Sequence, residues 1–382
     1  MNIAPSYWEK SRWLMPADVL VVGAGLAGLW TAYEIKRRSP KTRVLMLERS
    51  AIPTGASTRN AGFACFGSPS ELLHDATIMG ESAMLGVVEM RYKGIQKILQ
   101  TFGETAIGFE PCGGYECFEN WPLDYADQLA LLNKLLQPVA GNANSFSIAN
   151  DQLAGFGMQG FAGMVASKAE GALHSGMYVS ALSKLVASMG IDILYGEEVL
   201  GYEQYGNKFS VATSTHQFEA TQIVLATNAY LPALAPSLHV KPARGQVLVT
   251  QPIPGLTLRG TFHFDEGFYY WRHLEDNRIL LGGARNADIA AEETTEIKTS
   301  GTIQTALETF LIRHFPQHFN AQNMQQQVAL RWAGLMAMSE TKLPIVQQVE
   351  PGIWAMMCCN GMGVALTPIM AEKLAEQVLT NT

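Results

Sequence analysis

The chain has 382 residues, of which 48% are hydrophobic and 16% charged, and its 34 acidic side chains against 27 lysines and arginines give a net charge of −7. This length exceeds what one hydrophobic core usually fills, so two domains are expected. No apolar run approaches the roughly 18 residues of a membrane span, and the acidic balance argues against a surface built to bind a phosphate backbone, so membrane-spanning and nucleic-acid-binding readings are set aside.

Met1 to Pro16 contains no apolar stretch leading to a small-residue cleavage site, so no export signal is expected. Asp18 to Val22 reads as a strand, followed by Gly23-Ala24-Gly25-Leu26-Ala27-Gly28, a helical pattern to Arg38 and a second strand from Val44 to Leu47 ending in Glu48. That succession is a βαβ unit with parallel strands. A loop rich in glycine and hydroxyls runs from Pro53 to Ser70, then one long helix is expected over Asp75 to Phe102 and another over Pro122 to Leu136. Gly141 to Gly163 reads as irregular, Tyr178 to Met189 as helix and Ile191 to Leu194 as a buried strand. Val199 to Gln217 forms a hairpin turning at Gly206-Asn207, and Ile223 to Ala226 is another buried strand. Gln246 to Thr250, Phe268 to Trp271 and Ile279 to Leu281 fit an antiparallel sheet, and Thr302 to Phe315 a helix. Trp354 to Cys359 is expected as the last strand, before a helix capped by Thr367 with Pro368 in its first turn.

The five cysteines (Cys65, Cys112, Cys117, Cys358, Cys359) are odd in number and lack paired CxxC spacing, which favours reduced thiols in a cytoplasm and no metal site. Cys358 and Cys359 read as two small buried side chains on a strand, with a redox pair as the alternative, and the methionines near Met336 and Met362 as fillers of irregular core space.

In the glycine hexapeptide, Gly23 allows a tight turn, Gly25 lets the backbone approach a pyrophosphate, and Gly28 lets the helix pack closely on the strand. Glu48 lies 20 residues after Gly28 at the end of the next strand. A carboxylate there accepts both ribose hydroxyls and disfavours NADP. FAD and NAD share this fingerprint. Gly55 to Phe63 offers small residues, hydroxyls, one cation and backbone donors, which suit a flavin pyrophosphate and ring edge, although the same loop reads equally as ordinary polar surface.

The chain resembles the FAD-dependent family that includes D-amino acid oxidase, glycine oxidase and sarcosine oxidase, and within it the gamma-glutamylputrescine oxidoreductases. The resemblance runs through Ser6-Tyr7-Trp8, the glycine hexapeptide, Gly55 to Phe63, Ala226 to Tyr230, Arg244-Gly245-Gln246, Tyr269 to Arg272, Gly282-Gly283, Arg331 to Gly334, Leu343-Pro344-Ile345 and Asn360 to Gly363. It implies an α/β plus α+β fold, with a Rossmann-like FAD-binding domain of the glutathione-reductase-type βαβ and a second, antiparallel-sheet substrate domain. The expected division is 1–75, 145–240 and 330–382 for FAD, and 76–144 and 241–329 for substrate. Besides Gly23, Gly25, Leu26, Ala27 and Gly28, the implied FAD contacts are Glu48, Arg49, Ser57, Thr58, Arg59, Asn60, Ala61 and Gly62. Val199 is implied at the adenine, and Ala226, Thr227 and Asn228 beside the ADP moiety. Gly361, Met362, Gly363 and Val364 are implied at the flavin pyrimidine, under a positive helix end. Some relatives attach FAD covalently through histidine or cysteine, whereas the matching position here is Arg59, so non-covalent FAD is expected.

The resemblance implies oxidation of the C–N bond of a small amine or amino acid to an imine, which water then hydrolyses. Alternation along Tyr269 to Arg272 puts Tyr270 and Arg272 on one face, as a cage and a clamp for substrate or as core aromatic and solvated arginine. Arg244 and Arg331 each stand to pair with a substrate carboxylate or with a buried acid, and Arg285 is a further option. His174 reads as a structural histidine. Amino-acid-oxidising relatives carry an arginine after the Gly-Leu step, whereas Gly334-Leu335 is followed here by Met336, which disfavours an α-amino acid. Alternatives are a glycine or D-amino acid oxidase or dehydrogenase, a flavoenzyme of another reaction class, and a flavin-binding sensor without turnover. The sequence leaves the electron acceptor and the oligomeric state open.

Overall fold

The computed structural model describes residues 4–122, 124–357 and 359–380, and the chain divides into two compact units. The first comprises 1–58, 176–242 and 336–382, and the second 59–175 and 243–335. Relative to the expected division, 59–75, 145–175 and 330–335 fall in the second unit and 241–242 in the first. The reason is strand pairing: Gly163–Ser167 lies antiparallel to Gly114–Phe118, and Ser147–Ile148 pairs with it in turn.

The first unit is organised on a sheet with the strand order Ile345–Glu350, Ile353–Met357, Gln217–Leu225, Ala17–Val22, Val44–Glu48 and Asp192–Tyr195. Ala17–Val22 runs parallel to both its neighbours, with Val19 opposite Val44 and Val22 opposite Leu225. Parallel strands covered on both faces need near-continuous apolar sequence, which Val-Leu-Val-Val and Val-Leu-Met-Leu supply. Helices Leu26–Arg38 and Gly363–Thr380 pack on one another, and Trp30 donates its indole N–H to the buried Tyr178 hydroxyl at 2.6 Å. The opposite core joins Leu20, Leu45, Ile223 and Ile353 to Phe209, Val211 and Phe218. Phe209 and Val211 come from Lys208–Thr213, which pairs with Val199–Tyr205 in the expected hairpin, turning at Gly206 with φ +60°. Asp192–Tyr195 is a half-buried edge strand rather than a buried one.

The second unit carries a sheet of eight strands among the described residues, in the order Val328–Met338, Lys241–Thr250, Ile279–Gly283, Tyr269–His273, Thr261–Phe264, Gly114–Phe118, Gly163–Ser167 and Ser147–Ile148. It is antiparallel where the register is resolved, except that Thr261–Phe264 runs parallel to Gly114–Phe118. One face packs on helix Gly301–His314 through rings: Tyr269 stacks on Phe310 at 4.9 Å and Trp271 meets the same ring at 5.0 Å. Helices Pro69–Met79, Glu81–Phe102 and Tyr125–Ala140 build a separate core around Phe66, Leu72, Val88 and Leu132.

Four expectations need correction. The helix expected over Asp75 to Phe102 is two helices, parted at Gly80, whose φ of +81° no helix accommodates. The segment 141–163 contains the short strand Ser147–Ile148 and a 3₁₀ turn, Asn150–Phe156. The last helix begins at Gly363, so Thr367 lies inside it and donates its hydroxyl to the Gly363 carbonyl at 2.8 Å instead of capping it. The last strand ends at Met357; Cys358 lies outside the described residues, and Cys359 follows the strand. Among the described residues no helix is long and apolar enough to cross a membrane, and no group of three or more histidine, cysteine or acidic side chains is placed to hold a metal.

Candidate functional site

In the first unit the glycine turn leaves no space for side chains. A Cβ on Gly23, whose φ is +102°, would meet the Ala226 carbonyl oxygen at 2.7 Å, and one on Gly28 would lie 1.9 Å from the Gly23 carbonyl oxygen. A Cβ on Gly25 would come within 2.9 Å of Ser57 Oγ. Gly25 precedes the helix, leaving the first N–H groups of Leu26, Ala27 and Gly28 without intrahelical acceptors. Ser57 Oγ accepts from the Leu26 N–H at 2.9 Å. Glu48 braces the turn: Oε2 accepts from the Ala24 N–H and Oε1 from the Ser50 N–H, both at 3.0 Å. Each oxygen keeps a further lone pair. Arg49 is exposed, with its guanidinium 4.1 Å over the Tyr230 ring. Thr58 closes the loop on itself, donating its hydroxyl to the Pro53 carbonyl at 2.8 Å.

Ala226 hydrogen-bonds back to Val22 at 2.9 Å, and the next residue, Thr227, has a buried hydroxyl with no hydrogen-bond partner among the described residues. Asn228 follows with φ +52°. Val199 is the half-buried first residue of its strand. At the C-terminal turn Asn360 accepts from the Ser339 N–H at 2.9 Å, and Gly361 has φ +89°. A Cβ on Gly361 would lie 3.6 Å from Met336 Sδ, so the thioether stands against this turn. Met362 precedes the 18-residue C-terminal helix, and Gly363 and Val364 open it, all three half-buried.

These features fit FAD. A pyrophosphate requires backbone approach at side-chain-free positions beside a helix N-terminus, which the hexapeptide provides. An orphaned buried hydroxyl at Thr227 and spare acceptor capacity at Glu48 are the polar groups that a nucleotide satisfies.

In the second unit Arg59 donates Nη1–H to the Ala333 carbonyl at 2.9 Å, and the Trp332 indole donates to the Arg59 carbonyl at 2.9 Å. Asn60 Oδ1 accepts from the Gly62 N–H and from the Ser175 hydroxyl. Ala61 packs against the cluster of Val247, Val249 and Leu280. Gly62, at φ +75°, admits no Cβ, which would sit 2.2 Å from the Leu173 carbonyl oxygen. These contacts hold Arg59 to Gly62 as a rigid strap on one face of the sheet.

That face carries Tyr270 and Arg272, as alternation required. Tyr270 is in register with His263 on one side and Gly282 on the other. Its ring occupies the space over Gly282, where a Cβ would meet Cε2 at 2.4 Å, and Phe63 contacts it edge-on at 6.0 Å. Burial pushes its phenol up to about 12, against the opposing effect of Arg285.

The structure separates the arginines. Arg244 is buried in a bidentate pair with Glu292 (2.8 and 2.7 Å), and Gln246 also donates to that carboxylate. Arg331 pairs with Glu308 and donates to Gln304 at 2.6 Å. Arg244 thus meets a buried acid, whereas Glu308, the partner of Arg331, is only half-buried. Arg272, 7% exposed, bonds only backbone carbonyls among the described residues: Gly62 at 3.1 Å, Leu173 at 2.9 Å and His273 at 3.0 Å. Burial lowers its pKa, against the opposing effects of Cys112, Glu110 and Glu275. His174 is exposed.

Sequence reasoning does not single out His263, and it names Gly282 without its place under the Tyr270 ring. The strand Thr261–Phe264 went unrecognised, although Phe262 and Phe264 alternating around His263 carry its period-two pattern.

The model of the family described as FAD dependent oxidoreductase (DAO) matches residues 18–377. The chain belongs to this family. Its cofactor is FAD, and it is an oxidoreductase related to amino acid and amine oxidases. A probable oxidoreductase OrdL of Haemophilus influenzae is 25% identical over 387 residues, covering 95% of this chain and 83% of that protein. Among solved structures, the L-proline dehydrogenase of P. horikoshii superposes with a TM-score of 0.75 at 15% identity, over 96% of this chain and 94% of that one. The glycine oxidase of Geobacillus kaustophilus gives 0.70 at 18%, over 96% and 95%. These two likenesses concern the fold.

Proposed function

We propose that the chain oxidises the C–N bond of an amine whose carboxylate is distant or absent, in the manner of gamma-glutamylputrescine oxidases, with the first unit holding FAD and the second receiving substrate. Glu48 takes the ribose hydroxyls, the 23–28 turn with Ser57 the pyrophosphate, and Thr227 the ADP moiety. Within the first unit, Gly361 to Val364 stand at the flavin pyrimidine. Bound FAD supplies a two-electron acceptor for a hydride from the carbon bearing the nitrogen. The protein's own work is to hold an uncharged amine in place and exclude water, which needs no nucleophile. Tyr270 presents an aromatic wall with a hydroxyl free to meet the substrate, and Phe63 and the aliphatic cluster around Val247 keep its surroundings apolar. FAD is held without a covalent bond, since Arg59 stands where a linking histidine or cysteine would. The thiol content favours a cytoplasmic enzyme.

The observation carrying this reading is Met336 against Gly361. A thioether at that turn cannot clamp an α-carboxylate. A second reading, glycine or D-amino acid oxidation, is favoured by Arg272, whose buried guanidinium meets no carboxylate among the described residues. Losing an arginine–carboxylate pair costs about 2–5 kcal/mol, or roughly 30- to several-thousand-fold in rate. An anaerobic stopped-flow panel separates the two: N-acylated diamines are expected to reduce the flavin faster than glycine or D-alanine, and the reverse order moves the clamp to Arg272.

A further inference from the structure

His263 lies on the same sheet face as Tyr270, directly across the strand pair from it, and is 6% exposed. Its Nε2 is buried with no hydrogen-bond partner among the described residues. The ring meets Phe63 edge to face, with centroids 5.1 Å apart. Its other neighbour in register, Glu116, is already engaged by Ser68, the Ser70 N–H and hydroxyl, and Tyr125. Burial lowers the imidazole to about 4, so the ring is uncharged at neutral pH, with one N–H and one lone pair to satisfy. A buried polar atom left unsatisfied destabilises the fold, whereas a leucine of similar size would not. Folding alone therefore gives no reason for a histidine here.

We propose that His263 is a specificity-determining residue whose imidazole hydrogen-bonds the nitrogen-bearing end of the bound substrate, directly or through one ordered water. The proposal rests on the amine-oxidation reading and on the Tyr270 face receiving the substrate. Within an apolar, aromatic surround, such a contact orients the nitrogen while Tyr270 fixes the adjoining chain. It also selects donors that keep an N–H to share.

The test compares His263→Leu and His263→Gln in the FAD-loaded enzyme, by thermal unfolding, flavin content and steady-state kinetics with the best donor of the panel. His263→Leu is expected to hold or raise Tm and to keep its flavin, while kcat/KM falls about tenfold, the size of one hydrogen bond, chiefly through KM. His263→Gln, which keeps a polar atom at the depth of Nε2, should retain most of the activity. Unchanged kcat/KM in the leucine variant overturns the proposal. So does a fall in Tm, which would show that the imidazole is satisfied within the fold. Should no amine or amino acid reduce the wild-type flavin, the amine-oxidation reading itself fails, and the specificity role falls with it. In that case a Tm held or raised in the leucine variant shows only that folding does not require the imidazole.

Discussion

Replacing Glu48 by alanine removes the carboxylate that braces the glycine turn. The carboxylate accepts two backbone N–H groups at 3.0 Å, one from Ala24 and one from Ser50. Hydrogen bonds to a charged group contribute about 1.5–3 kcal/mol each. Glu48 is half-buried, so the lower end applies to the pair, about 3 kcal/mol in all. Ala24 is fully buried, so its freed N–H finds no water, whereas Ser50 is half-buried and its N–H can turn to solvent. The flavin-free protein should therefore lose about 3 kcal/mol of stability in urea unfolding. FAD affinity should fall by a further 1–3 kcal/mol or so, about 5- to 150-fold, because the ribose loses its acceptor. Glu48→Gln, with a single carbonyl acceptor, should lie between. Urea titration of the apoprotein and fluorescence titration with FAD separate the two effects. A stability loss with unchanged FAD affinity would make Glu48 a brace for the turn and remove it from the ribose. No change in either would refute the geometry itself.

Three further outcomes follow from particular contacts. Arg244→Met strands Glu292 in the core and should cost about 3–5 kcal/mol, while Arg244→Met with Glu292→Met recovers most of it; unfolding of the purified variants measures both, and turnover per flavin should hold. Burial raises Glu170 to about 8, so between the ordinary carboxylate value of 4.5 and that point the folded chain holds a proton that the unfolded chain has released. Stability then falls as pH rises through this window, and Glu170→Gln should match wild type near pH 5 and exceed it near pH 9; parallel pH curves would remove the buried acid. Acid precipitation should release intact yellow FAD into the supernatant, and flavin retained in the pellet would contradict the non-covalent assignment.

Local pattern accounts for what could be read before folding. The first strand, the glycine turn, the helix and Glu48 lie within 31 residues, and each is specified by its neighbours in sequence. Alternation sufficed to put Tyr270 and Arg272 on one face. Partner choice was not local. Arg244 finds Glu292 48 residues away, and Arg272 reaches Gly62 across 210, so no spacing rule could tell the paired arginine from the unpaired one. Gly80 sits in an apolar run whose periodicity continues on both sides, so the break between two helices has no signature except the glycine itself. The last helix opens at Gly363, four residues before Thr367, which has the side chain of a cap but lies inside the helix.

The central claim is oxidation of a C–N bond with FAD as acceptor, and its most direct test is product stoichiometry in a single anaerobic turnover. Flavin-loaded enzyme mixed with an N-acylated diamine should bleach, and carbonyl trapping with mass spectrometry should find one aldehyde and one ammonia, or smaller amine, per flavin reduced. A flavin that bleaches with dithionite and recovers in air, yet yields neither bleaching nor aldehyde with any amine or amino acid, would contradict it.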